Sequence, residues 1–122
     1  MIEGKFGSDD ELFFEIELIF DRGLELAVDA MLDTGFSGWL AIDEQDLEGL
    51  DWIYVTNRTM RTARGDAAFD IYVGKVRIDG EEFDIPVHVG EGVPEVLIGR
   101  QWLKSRRLVV DMQAGILSLG GS

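Results

Sequence analysis

The chain has 122 residues, 46% of them hydrophobic and 29% charged, which suits one folded domain over 1–122 rather than a disordered segment. Acids outnumber bases by 24 to 11, a net charge of −13, and fifteen of the acids lie in residues 1–52 against only Lys5 and Arg22. Such a chain lacks the clustered Lys and Arg that nucleic acid or an anionic membrane surface requires, so neither is expected as a partner.

With no cysteine and a single histidine, His88, the chain has no disulfide, no catalytic thiol, no cysteine-held metal and no multi-histidine metal site. No apolar run nears the roughly 20 residues of a membrane helix. Met1-Ile2-Glu3-Gly4-Lys5 has no secretory-leader pattern, and the chain reads as soluble and cytoplasmic.

In chain order, Phe14-Glu15-Ile16-Glu17-Leu18 alternates apolar and acidic residues, the pattern of a half-buried strand. Leu24–Leu32 follows the turn Asp21-Arg22-Gly23 and completes a hairpin. Trp39–Ile42 reads as a short strand, and Asp43 caps a brief helix over 44–49 closed by Gly49. Further strands are expected at Trp52–Thr56, Arg58–Thr62, Ala67–Val73, Lys75–Ile78 and Phe83–Val89, punctuated by Gly65, Gly74, Asp79-Gly80 and Gly90. Val96-Leu97-Ile98 is a continuous apolar run, as in a strand buried on both faces. Arg100–Ser105 is expected to form a short helix with Trp102 and Leu103 facing the core. Leu108–Met112 and Ile116–Leu119 flank a last hairpin at Gln113-Ala114-Gly115. Many short strands with glycine turns and two brief helices make an all-β barrel or sandwich.

Chemistry concentrates at Met31-Leu32-Asp33-Thr34-Gly35-Phe36-Ser37-Gly38. A carboxylate at the end of a buried strand loses solvation and calls for compensating hydrogen bonds. Gly35 lets another chain or an amide approach closely, and Thr34 offers a hydroxyl to hold the loop. Asp-Thr-Gly is also a common way to turn a strand, and that reading carries equal weight for the tripeptide alone.

The segment nevertheless resembles the active-site loop of aspartic proteases. Val96-Leu97-Ile98-Gly99-Arg100-Gln101-Trp102-Leu103 resembles the second signature of their single-domain, retropepsin-like members: an apolar triplet, Gly, then a short helix. Order and separation of the two motifs are similar to that family over about residues 11–119.

The resemblance implies a closed β-barrel with a flap hairpin, one short C-terminal helix and an active site at a homodimer interface, with Asp33 catalytic, no cofactor or metal, and a peptide or protein as substrate. Thr34, Gly35, Phe36 and Ser37 would form the active-site loop. Arg58–Val73 would form the flap, its substrate-binding tip at Thr62, Ala63, Arg64, Gly65 and Asp66. Leu97, Ile98, Gly99 and Arg100 would form the second motif. Arg64-Gly65-Asp66 is also an adhesion-type tripeptide. Two departures stand out: the family usually has a small residue where this chain has Phe36, and Ser37 stands where viral members have an acid that pairs with the arginine matching Arg100.

A peptide-binding dimer without catalysis is the alternative on the same fold. Alternation places His88 opposite Val87 and Val89, on a solvated face.

Overall fold

Strict alternation along residues 12–19 buries Phe14, Ile16 and Leu18 and turns Glu15 and Glu17 outward, and this strand organises the sheet. The structure, a computed structural model, describes residues 1–20, 22–62 and 65–121. Among these it is all-β, with strands β1 (Ile2–Glu3), β2 (Lys5–Phe6), β3 (Leu12–Ile19), β4 (Glu25–Leu32), β5 (Leu40–Asp43), β6 (Ile53–Thr62), β7 (Gly65–Ile78), β8 (Glu81–Gly90), β9 (Leu97–Ile98), β10 (Arg106–Asp111) and β11 (Ile116–Gly121). No helix is long and apolar enough to cross a membrane.

One sheet runs β2-β3-β4-β9-β5-β8-β7-β6, and β3 also pairs with β7 through Glu17–Ile19, so the pairings return to β3. A smaller sheet, β1-β11-β10, sets Ile2 against Leu119. The core gathers Phe14, Ile16, Leu18, Leu40, Ile42, Val76, Val87, Ile98, Trp102 and Leu119, all close to fully buried. At about 1.5–3 kcal/mol for each large apolar side chain buried, this cluster is the main source of stability.

The hairpin turns expected at glycines form where the backbone demands them. Asp79 (φ 55°) and Gly80 (φ 79°) both take left-handed conformations between β7 and β8. Gly23 and Gly115 close the β3–β4 and β10–β11 hairpins at φ 76° and 70°. In the first of these turns, Asp21 lies outside the described residues.

Gly74 acts differently from expectation. It interrupts nothing, and Ala67–Ile78 is one strand within β7. A Cβ there would stand 2.7 Å from Val87 Cγ2 and 2.9 Å from the Trp52 ring, so glycine admits the indole against the strand. Residues 53–62 likewise form one strand, with a register shift between Tyr54 and Thr56 rather than a break. β1 and β2 carry no expectation from sequence.

Neither expected helix is an α-helix. Glu44–Leu47 and Arg100–Lys104 are single 3-10 turns. Asp43 does cap the first, its Oδ2 accepting from the Gln45 amide at 3.1 Å. The C-terminal helix of the barrel expectation is thereby corrected to a turn. Gly99 is extended before it and Arg106 enters β10 just after it, so five residues are too few to nucleate an α-helix. Trp102 is 1% exposed, as its expected inward orientation requires.

Candidate active site

β4 carries the chain into Asp33 beside β9, the two strands running parallel with Met31 opposite Leu97 and Leu32 opposite Ile98. The Met31 amide donates to Val96 O at 2.8 Å and the Asp33 amide to Ile98 O at 3.0 Å, so Asp33 is fixed at the last rung of the ladder. Asp33 itself is half-buried. Its Oδ1 accepts the Gly35 amide at 2.8 Å, and its carbonyl accepts the Phe36 amide at 3.1 Å. This side-chain-to-backbone turn orients the carboxylate. Among the described residues Oδ2 accepts no hydrogen bond.

The second motif buttresses the first. The Gly99 amide donates to Trp39 O at 3.0 Å, and the Arg100 amide to Phe36 O at 3.0 Å. Arg100 Nη1 donates to Thr34 O at 3.1 Å, Gln101 Nε2 to Ser37 O at 3.0 Å, and Trp102 Nε1 to Trp39 O at 2.9 Å. Carbonyls of the Asp33 loop are thus capped one after another by a turn rooted in the core through Trp102. Arg100, which forms no acid pair at Ser37, instead clamps the loop backbone. Arg100→Ala is expected to lower stability by about 1 kcal/mol through a looser loop, measured by denaturant unfolding.

Thr34 and Gly35 are exposed, Phe36 and Ser37 partly buried. Thr34, Ser37, Arg100, Gln101, Leu103 and Lys104 border a recess beside the loop. Leu97 and Ile98 serve as strand partners, and Ile98 is fully buried. The segment expected as a flap is the β6–β7 hairpin, paired to its end at Arg61 with Asp66 and Thr62 with Gly65. Ala63 and Arg64 lie outside the described residues. The structure therefore joins the two motifs directly.

His88 departs from its expected solvated position. It is 5% exposed, and among the described residues neither ring nitrogen has a hydrogen-bond partner. Phe36 meets its ring edge-on at 5.2 Å between centroids, and Phe69 of β7 does so at 5.8 Å. Gly38 lies against both: a Cβ there would be 2.6 Å from Phe36 Cζ and 2.9 Å from His88 Cε1. Burial pushes the His88 imidazole below its ordinary value of 6.5, and the Arg58 charge adds to that shift. The outer face of β8 at this position is covered by a loop residue and a neighbouring strand, which alternation within β8 does not reveal.

No protein-family model and no curated protein sequence matches the chain. Solved structures do. EIAV protease in complex with the inhibitor HBY-793 superposes with a TM-score of 0.66 at 12% identity, over 82% of this chain and 91% of that one. A retropepsin-like aspartic protease from Rickettsia conorii superposes with a TM-score of 0.63 at 24% identity, over 98% of this chain and 88% of that one. The β4–loop–β9 framework around Asp33 thus sits in a chain with the fold of the retropepsin-like aspartic proteases.

Proposed function

We propose that the protein is a homodimeric aspartic endopeptidase in which each subunit contributes Asp33. The observation that carries this reading is the Asp33 carboxylate, held on one oxygen by the Gly35 amide and braced by the Gly99–Trp102 turn, on a retropepsin-like fold. The ring of pairings from β3 back to β3 is read as the closed barrel of that fold, and the β6–β7 hairpin as the flap that closes over a peptide.

One Asp33 carboxylate is half a site. In the dimer, two of them at about 3 Å share a single proton, because both cannot ionise so close together. The ionised member takes a proton from a water held between them, and the resulting nucleophile attacks the peptide carbonyl. The protonated member hydrogen-bonds the developing oxyanion, and a proton passes to the leaving amine. Thr34 suits a contact to the partner's loop: its carbonyl is occupied by Arg100 while the residue stays exposed. No cofactor takes part in this chemistry.

A second reading is a peptide-binding dimer without turnover. Phe36 favours it, since a phenyl ring stands where the resemblance calls for a small residue beside the cleft. Incubating the protein and its Asp33→Asn variant with a peptide library from acid to neutral pH separates the two. Cleavage by the parent alone supports the protease. Equal peptide binding by both forms, with no product from either, supports the binder and overturns the protease.

The charge imbalance of residues 1–52 surrounds the Asp33 loop in sequence. At low salt, Lys/Arg-rich peptides are expected to be cleaved about tenfold faster than Asp/Glu-rich ones of equal length. The ratio should fall as salt shortens the screening length to about 8 Å near physiological strength. Equal rates at low salt would contradict this preference.

A further inference from the structure

A buried imidazole with no hydrogen-bond partner is costly, because even the neutral ring carries one N–H donor that water would satisfy. In this chain that ring stands directly behind the loop bearing Asp33. We infer that His88 is a positioning residue for the Asp33 loop: neutral, it packs Phe36 into place, and protonated, it releases Phe36 and the loop with it. The inference rests on the protease reading only where it speaks of cleavage.

The geometry supplies the coupling. Phe36 follows Asp33 by three residues, and its amide closes the turn on the Asp33 carbonyl. Its ring lies across Gly38, next to His88, and reaches Gly99 as well, since a Cβ on Gly99 would come within 2.8 Å of Phe36 Cδ2. A displacement of this ring therefore disturbs the turn that orients the carboxylate and the contact with the second motif together.

The surroundings of His88 make protonation disruptive. Phe36 and Gly38 cover it from the loop, and Phe69 lies against it from β7. Its register partners are Ile71 on β7 and Ala41 on β5, both buried and apolar. The charged groups nearest in register on the packed elements are Arg58 on β6, Asp70 on β7 and Asp43 on β5, with Asp33 on the loop, while Arg61, Asp66, Lys75 and Arg77 lie further along β6 and β7. Arg58 acts on the ring, and its positive charge opposes a second one nearby. Asp70 is exposed, and the Asp43 carboxylate is held by the amides of Gln45 and Val93. An imidazolium would have two N–H donors and a net charge with no acceptor among the described residues, so water must enter. Phe69 is anchored in a strand paired on both sides, whereas Phe36 sits on a turn, so Phe36 is the cover that yields.

The sign of the pH effect follows. His88 in the fold takes its proton at lower pH than in the unfolded chain. As pH falls below about 6.5 the unfolded chain binds the proton first, and the fold loses stability until His88 protonates in place. The positioning role is complete at neutral pH and is lost on the acid side.

His88 is the sole histidine, so its ring signals are unambiguous in an NMR titration of the full chain. The Gly35 and Gly38 amides report the loop in the same spectra. The expected result is that both amides shift with the His88 midpoint, below pH 6.5, while the chain stays folded. In His88→Phe, which keeps an aromatic ring but cannot be protonated, those steps should vanish. Cleavage by that variant should lose one ionisation from the acid limb of kcat with KM at neutral pH unchanged. Loop amides that ignore the His88 titration would overturn the inference, as would steps at the His88 midpoint that persist in His88→Phe. The parent titration needs neither a variant nor a substrate. Absence of cleavage would therefore sink the protease reading while leaving this test intact.

Discussion

Asp33→Asn is expected to reduce kcat for peptide cleavage by at least about a thousandfold while leaving the unfolding midpoint nearly unchanged. The amide oxygen of Asn can still accept the Gly35 amide, so the turn at the end of β4 keeps its shape. What the proposed mechanism loses is the ability to take a proton from water and to share one with a second carboxylate. A carboxylate that only turned the strand would show little change in rate. Parallel steady-state kinetics and denaturant unfolding of the two proteins make the comparison. Retention of more than a tenth of the parent rate in Asp33→Asn would contradict the assignment.

Gly99→Ala should have the largest structural effect of any single methyl added near the site. A Cβ on residue 99 would stand 2.1 Å from Gly38 O and 2.8 Å from both Gly38 C and Phe36 Cδ2. Two of these contacts are backbone, and the residue is tethered in turn by its own amide to Trp39 O. No flexible side chain can move aside to relieve the overlap. The substitution is expected to cost about 3 kcal/mol or more. It should also depress cleavage by pushing the Asp33 loop away from the second motif. Stability within about 0.5 kcal/mol of the parent would show that the two motifs do not pack as closely as described.

These two residues were also the most legible parts of the sequence. Apolar residues leading into Asp33-Thr34-Gly35, and Leu97-Ile98 leading into Gly99, marked the ends of two strands that prove to be neighbours. The alternation of Phe14, Ile16 and Leu18 fixed which face of β3 is core. Asp79-Gly80 gave its hairpin because two successive left-handed residues suit that turn.

What escaped sequence reading depends on tertiary contact. Gly74 looked like a break because the Trp52 ring that requires it arrives from another strand. Ile2–Glu3 and Lys5–Phe6 are too short to show a period, and they are strands only through partners in β11 and β3. Arg100–Lys104 had a helix-like composition but no room for a second turn. His88 looked solvated because alternation within β8 does not reveal Phe36 and Phe69 covering its outer face. Arg100 lacked its expected acid, and nothing local signalled that the Thr34 carbonyl takes that acid's place.

The central claim is that cleavage needs one Asp33 from each of two subunits, and mixing tests it most directly. Parent protein and Asp33→Asn are combined at constant total concentration, allowed to exchange subunits, and assayed for peptide hydrolysis. If only the parent dimer has both carboxylates, the rate follows the square of the parent fraction. A rate that falls linearly with that fraction would mean that each chain works alone, and would contradict the shared site.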